Sequence, residues 1–303
     1  MEDQAEKLRQ IIDNIKLKQS VNQADLLGGI AKKNARVITV TSGKGGVGKT
    51  NITINLGIAL SESGLKVVII DADFGLANID VLFGIVPKFN LSDVIHDRKN
   101  ILEILCNGPK NLKFISGGSG VEDLIKLDKS QLDSFVSNIV LLDKIADVIL
   151  IDTGAGLSDN VMSFVMAADE VLLVTTPEPT SITDAYALIK MVSNCDKNKI
   201  IKVIVNRAES ESEAIDILNK LSMVAEKFLS LRLLSLGYIL QDEAVIKAVK
   251  LQQPFFISFP KSQAARHIKE ISKKLAETGN NGGGIGINGI KGFINRLVNF
   301  LNT

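Results

Sequence analysis

The chain has 303 residues, long enough to bury a sizeable core, and its composition, 46% hydrophobic and 23% charged, excludes a wholly disordered protein. With 35 basic against 34 acidic residues the formal net charge is +1, which gives no overall electrostatic reason to expect nucleic acid as a partner. The two cysteines, Cys106 and Cys195, lie far apart without CxxC spacing, which argues against a disulfide scaffold or a cysteine metal site and fits a reducing cytosol.

The first 34 residues open with "MEDQAEKLRQ", acidic and without an apolar segment, so they do not read as a secretory signal. No run of 18 apolar residues follows anywhere, and the protein is expected to stay inside the cell. Within this preface Leu8, Ile11, Ile12, Ile15 and Leu17 suggest a short amphipathic helix and then a loop. From "ARVITVTSGKGG" onward, β-branched runs alternate with turns and helix-period segments, the pattern of βαβ units. Strands are expected at 37–41, 66–71, 112–115, 148–152, 170–175, 202–206 and 236–239. The fold class is therefore α/β: a doubly wound, mostly parallel sheet of about seven or eight strands with helices on both faces, spanning residues 35–276.

The loop after the first strand, "GKGGVGKT", satisfies G-x-x-x-x-G-K-[ST] and precedes a helical segment, as a P-loop must. Gly45, Gly46, Val47 and Gly48 bring backbone N–H groups to a phosphate, Lys49 reaches the β- and γ-phosphates, Thr50 ligates Mg²⁺, and Asn51 beside it is counted with the nucleotide-binding residues. A second lysine, Lys44, lies five residues earlier. Beside Lys49 on the same phosphates it would meet strong cationic repulsion, so a different nucleotide is its expected target.

Later strands end in further polar residues. "VVIIDADFGLANID" leaves Asp71 and Asp73 at a strand terminus, "VILIDTGAGLSDN" leaves Asp152 followed by Gly154 to Gly156, and "VIVNRAES" ends in Asn206 and Arg207. "ETGNNGGGIGINGIKG" has seven glycines in sixteen residues and reads as a flexible linker, 277–289. Beyond it, over 290–303, Ile290, Phe293, Ile294, Leu297, Val298 and Leu301 share one helical face, with Lys291 and Arg296 largely on the other. Such a helix either folds back on the domain or a partner subunit, or lies in a membrane interface with its basic residues near anionic lipid. The glycine tether favours the second fate.

"KGGVGKT" resembles the deviant Walker A motif of the MinD/ParA ATPases, and the motifs that follow in order extend the resemblance over roughly residues 35–275. It implies ATP and Mg²⁺ as ligands, slow hydrolysis, and an ATP-bound homodimer in which Lys44 crosses to the partner's phosphates. It also implies that Asp73 positions the attacking water and that Asp152, with Asp71 and Thr50, holds the metal. Gly154 would contact the γ-phosphate, and Asn206, with Arg207 beside it, would recognise adenine. Members of the family commonly carry proline at the position of Gly154, a departure that bears on the flexibility of this switch.

Within the family, "DQAEKLR" at residues 3–9 resembles the N-terminal motif of the FlhG (YlxH) group, MinD-like ATPases that govern flagellar number and placement. That resemblance implies that residues 1–34 bind and activate the SRP-type GTPase FlhF through Asp3, Gln4, Leu8 and Arg9, and that flagellar C-ring proteins are further partners. It implies a cytoplasmic protein reversibly associated with the inner face of the cell membrane. A MinD-like division-site regulator remains the alternative, although division-site MinD proteins place their P-loop almost at the N-terminus and this chain's first loop glycine is Gly43.

Overall fold

The computed structural model describes residues 34–73, 79–118, 127–280 and 289–301. Asp3, Gln4, Leu8 and Arg9 lie outside the described residues.

Among the described residues, eight strands form one sheet in the order β3-β4-β2-β5-β1-β6-β7-β8. They are β1 (Arg36–Thr41), β2 (Val67–Ala72), β3 (Cys106–Asn107), β4 (Lys113–Ile115), β5 (Val148–Thr153), β6 (Glu170–Thr175), β7 (Ile200–Ala208) and β8 (Leu233–Leu240). All pairings are parallel except β3 with β4. The seven expected strands are all present, β6 with the expected bounds and the others with ends shifted by one to three residues. The two-residue β3 carried no sequence signal, because a bridge that short has no alternating pattern to detect.

The described helices are α1 (Lys49–Glu62), α2 (Ile79–Phe83), α3 (Leu91–Ile95), α4 (Lys129–Ile139), α5 (Leu142–Ile145), α6 (Asp159–Ala167), α7 (Pro179–Cys195), α8 (Glu211–Leu229), α9 (Glu243–Lys250), α10 (Phe255–Ser258), α11 (Gln263–Asn280) and α12 (Gly289–Leu301). Alternate residues of each central strand feed opposite layers. Ile38, Val40, Val148 and Leu150 pack with α1 and with Ile268 and Leu275 of α11. Val37, Ile149 and Ile151 pack on the other face with Phe135, Phe164 and α12. Towards β8, a third cluster unites Val171, Leu173 and Val203 with α6, α7 and α8. Helix α1 is buried almost all round, the mark of a helix enclosed by the domain.

One sequence expectation needs correction, and one open alternative is resolved for this state of the chain. Residues 277–280, read as linker, complete α11. A buried ionic cluster pins that end: Arg36 donates to Glu170 at 2.9 Å and to the Leu275 carbonyl at 3.0 Å, while Lys202 donates to Glu170 at 2.5 Å and to the Thr278 hydroxyl at 2.8 Å. These tertiary bonds override the low helix propensity of the Thr-Gly-Asn run. The C-terminal helix takes the first of its two fates. Ile290, Phe293, Ile294 and Leu297 are all buried in the cluster that covers β1 and β5. Val298 packs at its margin, and Leu301 closes the helix.

Candidate functional site

Strand order places the site. β1 lies between β5 and β6, so the chain winds away from β1 in both directions, and the crevice at the strand carboxyl ends opens there. Register sets Val40 beside Asp152 and Asp71 beside the same Asp152, which brings the first-strand loop and two carboxylates to one edge.

The loop is shaped for an anion. Gly48 caps α1 at φ 93°, in the left-handed region, and a side chain there would meet the Asn206 amide nitrogen at 2.5 Å. No side chain caps α1, so its first N–H groups and the positive end of its dipole face the crevice. Gly45 and Gly46 lie exposed at the loop's tip, and Val47 is buried beneath it.

The two lysines face different partners. Lys49, buried, donates to Asp152 Oδ1 at 3.2 Å, and Thr53 donates to the same oxygen at 2.9 Å. Lys44 turns to the start of α7, where it donates to Glu178 at 2.6 Å and to the Thr180 hydroxyl at 2.9 Å. That contact holds the Glu178 carboxyl below the usual carboxylate range. The sequence reading missed Thr53, Glu178 and Thr180. The available signal was the "PEPT" turn after β6 and the hydroxyl four residues beyond Lys49.

Asp152 is fully buried, and its Oδ2 has no hydrogen-bond partner among the described residues. An orphaned carboxylate oxygen on a residue that already meets Lys49 and Thr53 of α1 through its other oxygen fits a divalent cation with oxygen ligands. Asp71 accepts from the Asp73 backbone at 3.2 Å and from the Ile79 backbone at 3.3 Å. Asp73 is half-buried, and its Oδ1 lies 3.4 Å from where a side chain on Gly154 would begin. The Gly154–Gly156 segment is tied to the P-loop by the Gly156 N–H, which donates to the Ser42 carbonyl at 2.9 Å.

A cleft of about 730 Å³ opens beside the loop, within the range of small-ligand sites. Gly48, Asn51, Glu178, Asn206 and Arg207 give it polar groups. Ile239, Leu240, Val245, Ile246, Val249 and Phe255 give it an apolar wall, suited to one face of a nucleobase, that sequence reasoning did not single out. Asn206 is braced by donating to the Val47 carbonyl at 2.7 Å, and Arg207 sits exposed at φ 59°.

α12 lies far along the chain but packs principally on α6, the helix that begins just after the Gly154–Gly156 segment. Phe293 meets Phe164 at a ring-centroid distance of 6.0 Å. Arg296 donates to the Ala167 carbonyl at 2.7 Å and to Asp169 at 2.8 Å. Lys199 donates to the Met166 and Ala168 carbonyls, and burial together with the neighbouring Arg296 brings its pKa down to about 8. Among the described residues, no helix is long and apolar enough to cross a membrane.

Fold and site together define a P-loop NTPase with a second lysine in its phosphate loop. A family model described as "ParA: NUBPL iron-transfer P-loop NTPase" matches residues 33–276. The chain is 42% identical over 240 residues to the antiactivator FleN of Pseudomonas aeruginosa, covering 79% of this chain and 86% of FleN. It is 36% identical over 273 residues to the flagellum site-determining protein YlxH of Helicobacter pylori, covering 89% and 92%. Among solved structures, the septum site-determining protein MinD of Pyrococcus horikoshii, complexed with Mg-ADP, matches with a TM-score of 0.65 and 27% identity over 81% of this chain and 97% of that one. The chain belongs to the MinD/ParA family of P-loop ATPases, in its FlhG (YlxH) group.

Proposed function

We propose that this protein is an ATP-dependent, dimerising, membrane-associating switch that controls the number or placement of flagella and acts with the GTPase FlhF. One observation carries the switch reading: α12, the amphipathic helix, is seated on α6, which starts where the Gly154–Gly156 segment ends. A change in that segment on nucleotide binding has a direct mechanical route to the helix. The names of the relatives FleN and YlxH support the flagellar part.

In this reading the P-loop N–H groups and Lys49 hold the β- and γ-phosphates of ATP, and Lys49 leaves Asp152 to do so. Mg²⁺, held by Thr50 and Asp152 with Asp71, would neutralise charge developing on the phosphates. Asp73 orients the attacking water, with the glycine at 154 leaving space for its carboxylate. Lys44 exchanges its bonds to Glu178 and Thr180 for the partner's phosphates, so full activity needs the dimer. Turnover is slow and serves as a timer. Two released α12 helices on one dimer bind lipid by avidity where a single short helix holds weakly.

The test is co-sedimentation with anionic vesicles in ATP and Mg²⁺ against ADP, for the wild type and for the chain truncated after Asn280. ATP-dependent binding that the truncation abolishes is the expected result. Equal binding in ATP and ADP would refute the switch. The partner is tested by the GTPase rate of purified FlhF with a peptide of residues 1–34, with Gln4→Ala as the control. Absence of stimulation returns the biological role to the division-site reading, which the similarity to MinD supports.

A further inference from the structure

One side chain outside the nucleotide site holds two distant parts of the chain. Asp143, in the short helix α5, presents its Oδ1 to the Ala35 N–H at 3.2 Å and to the Ile290 N–H at 3.1 Å. Ala35 is the residue through which the N-terminal segment passes into β1, and Ile290 begins the buried face of α12. Gly289, just before it, has φ 63° and lies so close to Asp143 that a side chain would start 2.6 Å from both carboxylate oxygens. Only glycine combines that left-handed backbone with so near an approach. The carboxylate at the first turn also interacts favourably with the helix dipole.

The surrounding packing makes the contact consequential. Ala35, Leu142 and Ile290 are each fully buried and belong to one apolar cluster. Hydrogen bonds to a carboxylate are stronger than neutral ones, and a backbone N–H stripped of its acceptor inside an apolar cluster carries a desolvation penalty. Neither amide can leave Asp143 without disturbing the side chain that the other uses.

We propose that Asp143 is a shared clasp that couples the root of the N-terminal segment to the docking of α12, so that drawing Ala35 off the carboxylate loosens the first turn of α12. This inference rests on the reading of α12 as a releasable helix. Asp143 acts through the helix and is a positioning residue. Coupling of this kind is reciprocal: release of α12 also frees the amide of Ala35. A partner that takes hold of residues 1–34 and pulls on Ala35 would thereby promote exposure of the amphipathic face.

The experiment is amide hydrogen exchange on the full-length, nucleotide-free protein, comparing wild type, Asp143→Asn and Ala35→Pro. The last variant removes one donor and leaves the carboxylate in place. Asp143→Asn is expected to speed exchange at Ile290 and at Ala35 together, by roughly tenfold or more, with the amides of β5 unchanged. In Ala35→Pro, the amides of α12 are expected to speed up although the substitution lies 255 positions earlier in the sequence. Unchanged exchange in α12 on Ala35→Pro, with β5 still protected, would overturn the coupling. If Ala35→Pro fails to fold, Asp143→Asn decides alone: acceleration at Ile290 without acceleration at Ala35 overturns the clasp. Binding of the same variants to vesicles of phosphatidylglycerol and phosphatidylcholine separates the two readings. Coupled exchange without vesicle binding keeps the clasp and rejects lipid as the target of α12.

Discussion

If α12 is a releasable helix, the two sides of its seat must respond oppositely to substitution. Phe164 is a domain-side residue of the seat, 3% exposed, with its ring 6.0 Å from Phe293 at an interplanar angle of 47°. Phe164→Leu keeps the site apolar but removes the ring pair, worth about 0.5–1.5 kcal/mol beyond area burial. A void of about 20 Å³ already lies between the helix and the sheet, lined by Ile70, Phe135, Ile151, Phe164 and the α12 residues, and the smaller side chain enlarges it. The seat then weakens by about 1–2 kcal/mol, which raises the undocked fraction roughly five- to thirtyfold. Nothing on the lipid-facing side of the helix has changed, so vesicle binding in ADP should rise. Phe293→Leu weakens the same seat but also removes an aromatic side chain from the inserting face, so its vesicle binding should rise less or fall. Vesicle co-sedimentation of both variants in ADP reads this directly. Equal loss of binding in the two would refute the reasoning and leave α12 as a fixed core helix.

Other outcomes follow from the same geometry. Asp73→Ala should abolish phosphate release in a coupled assay and leave ATP-dependent dimerisation measurable by analytical ultracentrifugation; loss of the dimer would assign Asp73 to assembly. Gly154→Ala should lower kcat several-fold with little change in nucleotide affinity, because the added methyl starts 3.4 Å from Asp73 Oδ1. An unchanged kcat would show that the carboxylate moves away from Gly154 before reaction. Lys199 has a native pKa of about 8 against an ordinary value of 10.5, so the unfolded chain holds this proton in a window where the native one has released it. Its contribution therefore raises stability as pH climbs from about 8 to 10.5, and below 8 the burial penalty is fully present. Arg296→Gln removes the neighbouring cation, lets that pKa rise, and should shrink the gain in urea-unfolding free energy between pH 8 and pH 10 by up to about 1 kcal/mol. An identical gain in both proteins would place Arg296 too far away to matter.

The phosphate loop, the strands that carry Asp71, Asp152 and Asn206, and the doubly wound sheet were legible because each rests on local signals. A β-branched run, a glycine turn and a lysine at fixed spacing are properties of ten or fifteen consecutive residues. What stayed hidden depends on contacts between distant segments. The Lys44 pair with Glu178 joins residues 134 positions apart, and the apolar wall of the cleft is assembled from β8, α9 and α10. The continuation of α11 through Gly279 rests on Arg36 and Lys202, which sit on strands and bond to Leu275 and Thr278 near its end.

The C-terminal helix shows a limit of a different kind. Ile290, Phe293, Ile294 and Leu297 form a stripe that suits a protein groove and a lipid interface equally, since both remove the same apolar surface from water. Periodicity reports that such a face will be covered and is silent on what covers it. The polar residues decide instead. Arg296 is spent on the Ala167 carbonyl and Asp169, and Ile290 is fastened to Asp143, contacts that only the folded domain supplies. Lys291 projects into solvent, where it is free to meet an anionic surface. A helix fastened by a few polar bonds at its ends, over an apolar face that another environment would accept, is held by a difference of only a few interactions. That is the condition under which a nucleotide-driven shift of α6, or a pull on Ala35, can transfer it from one environment to the other.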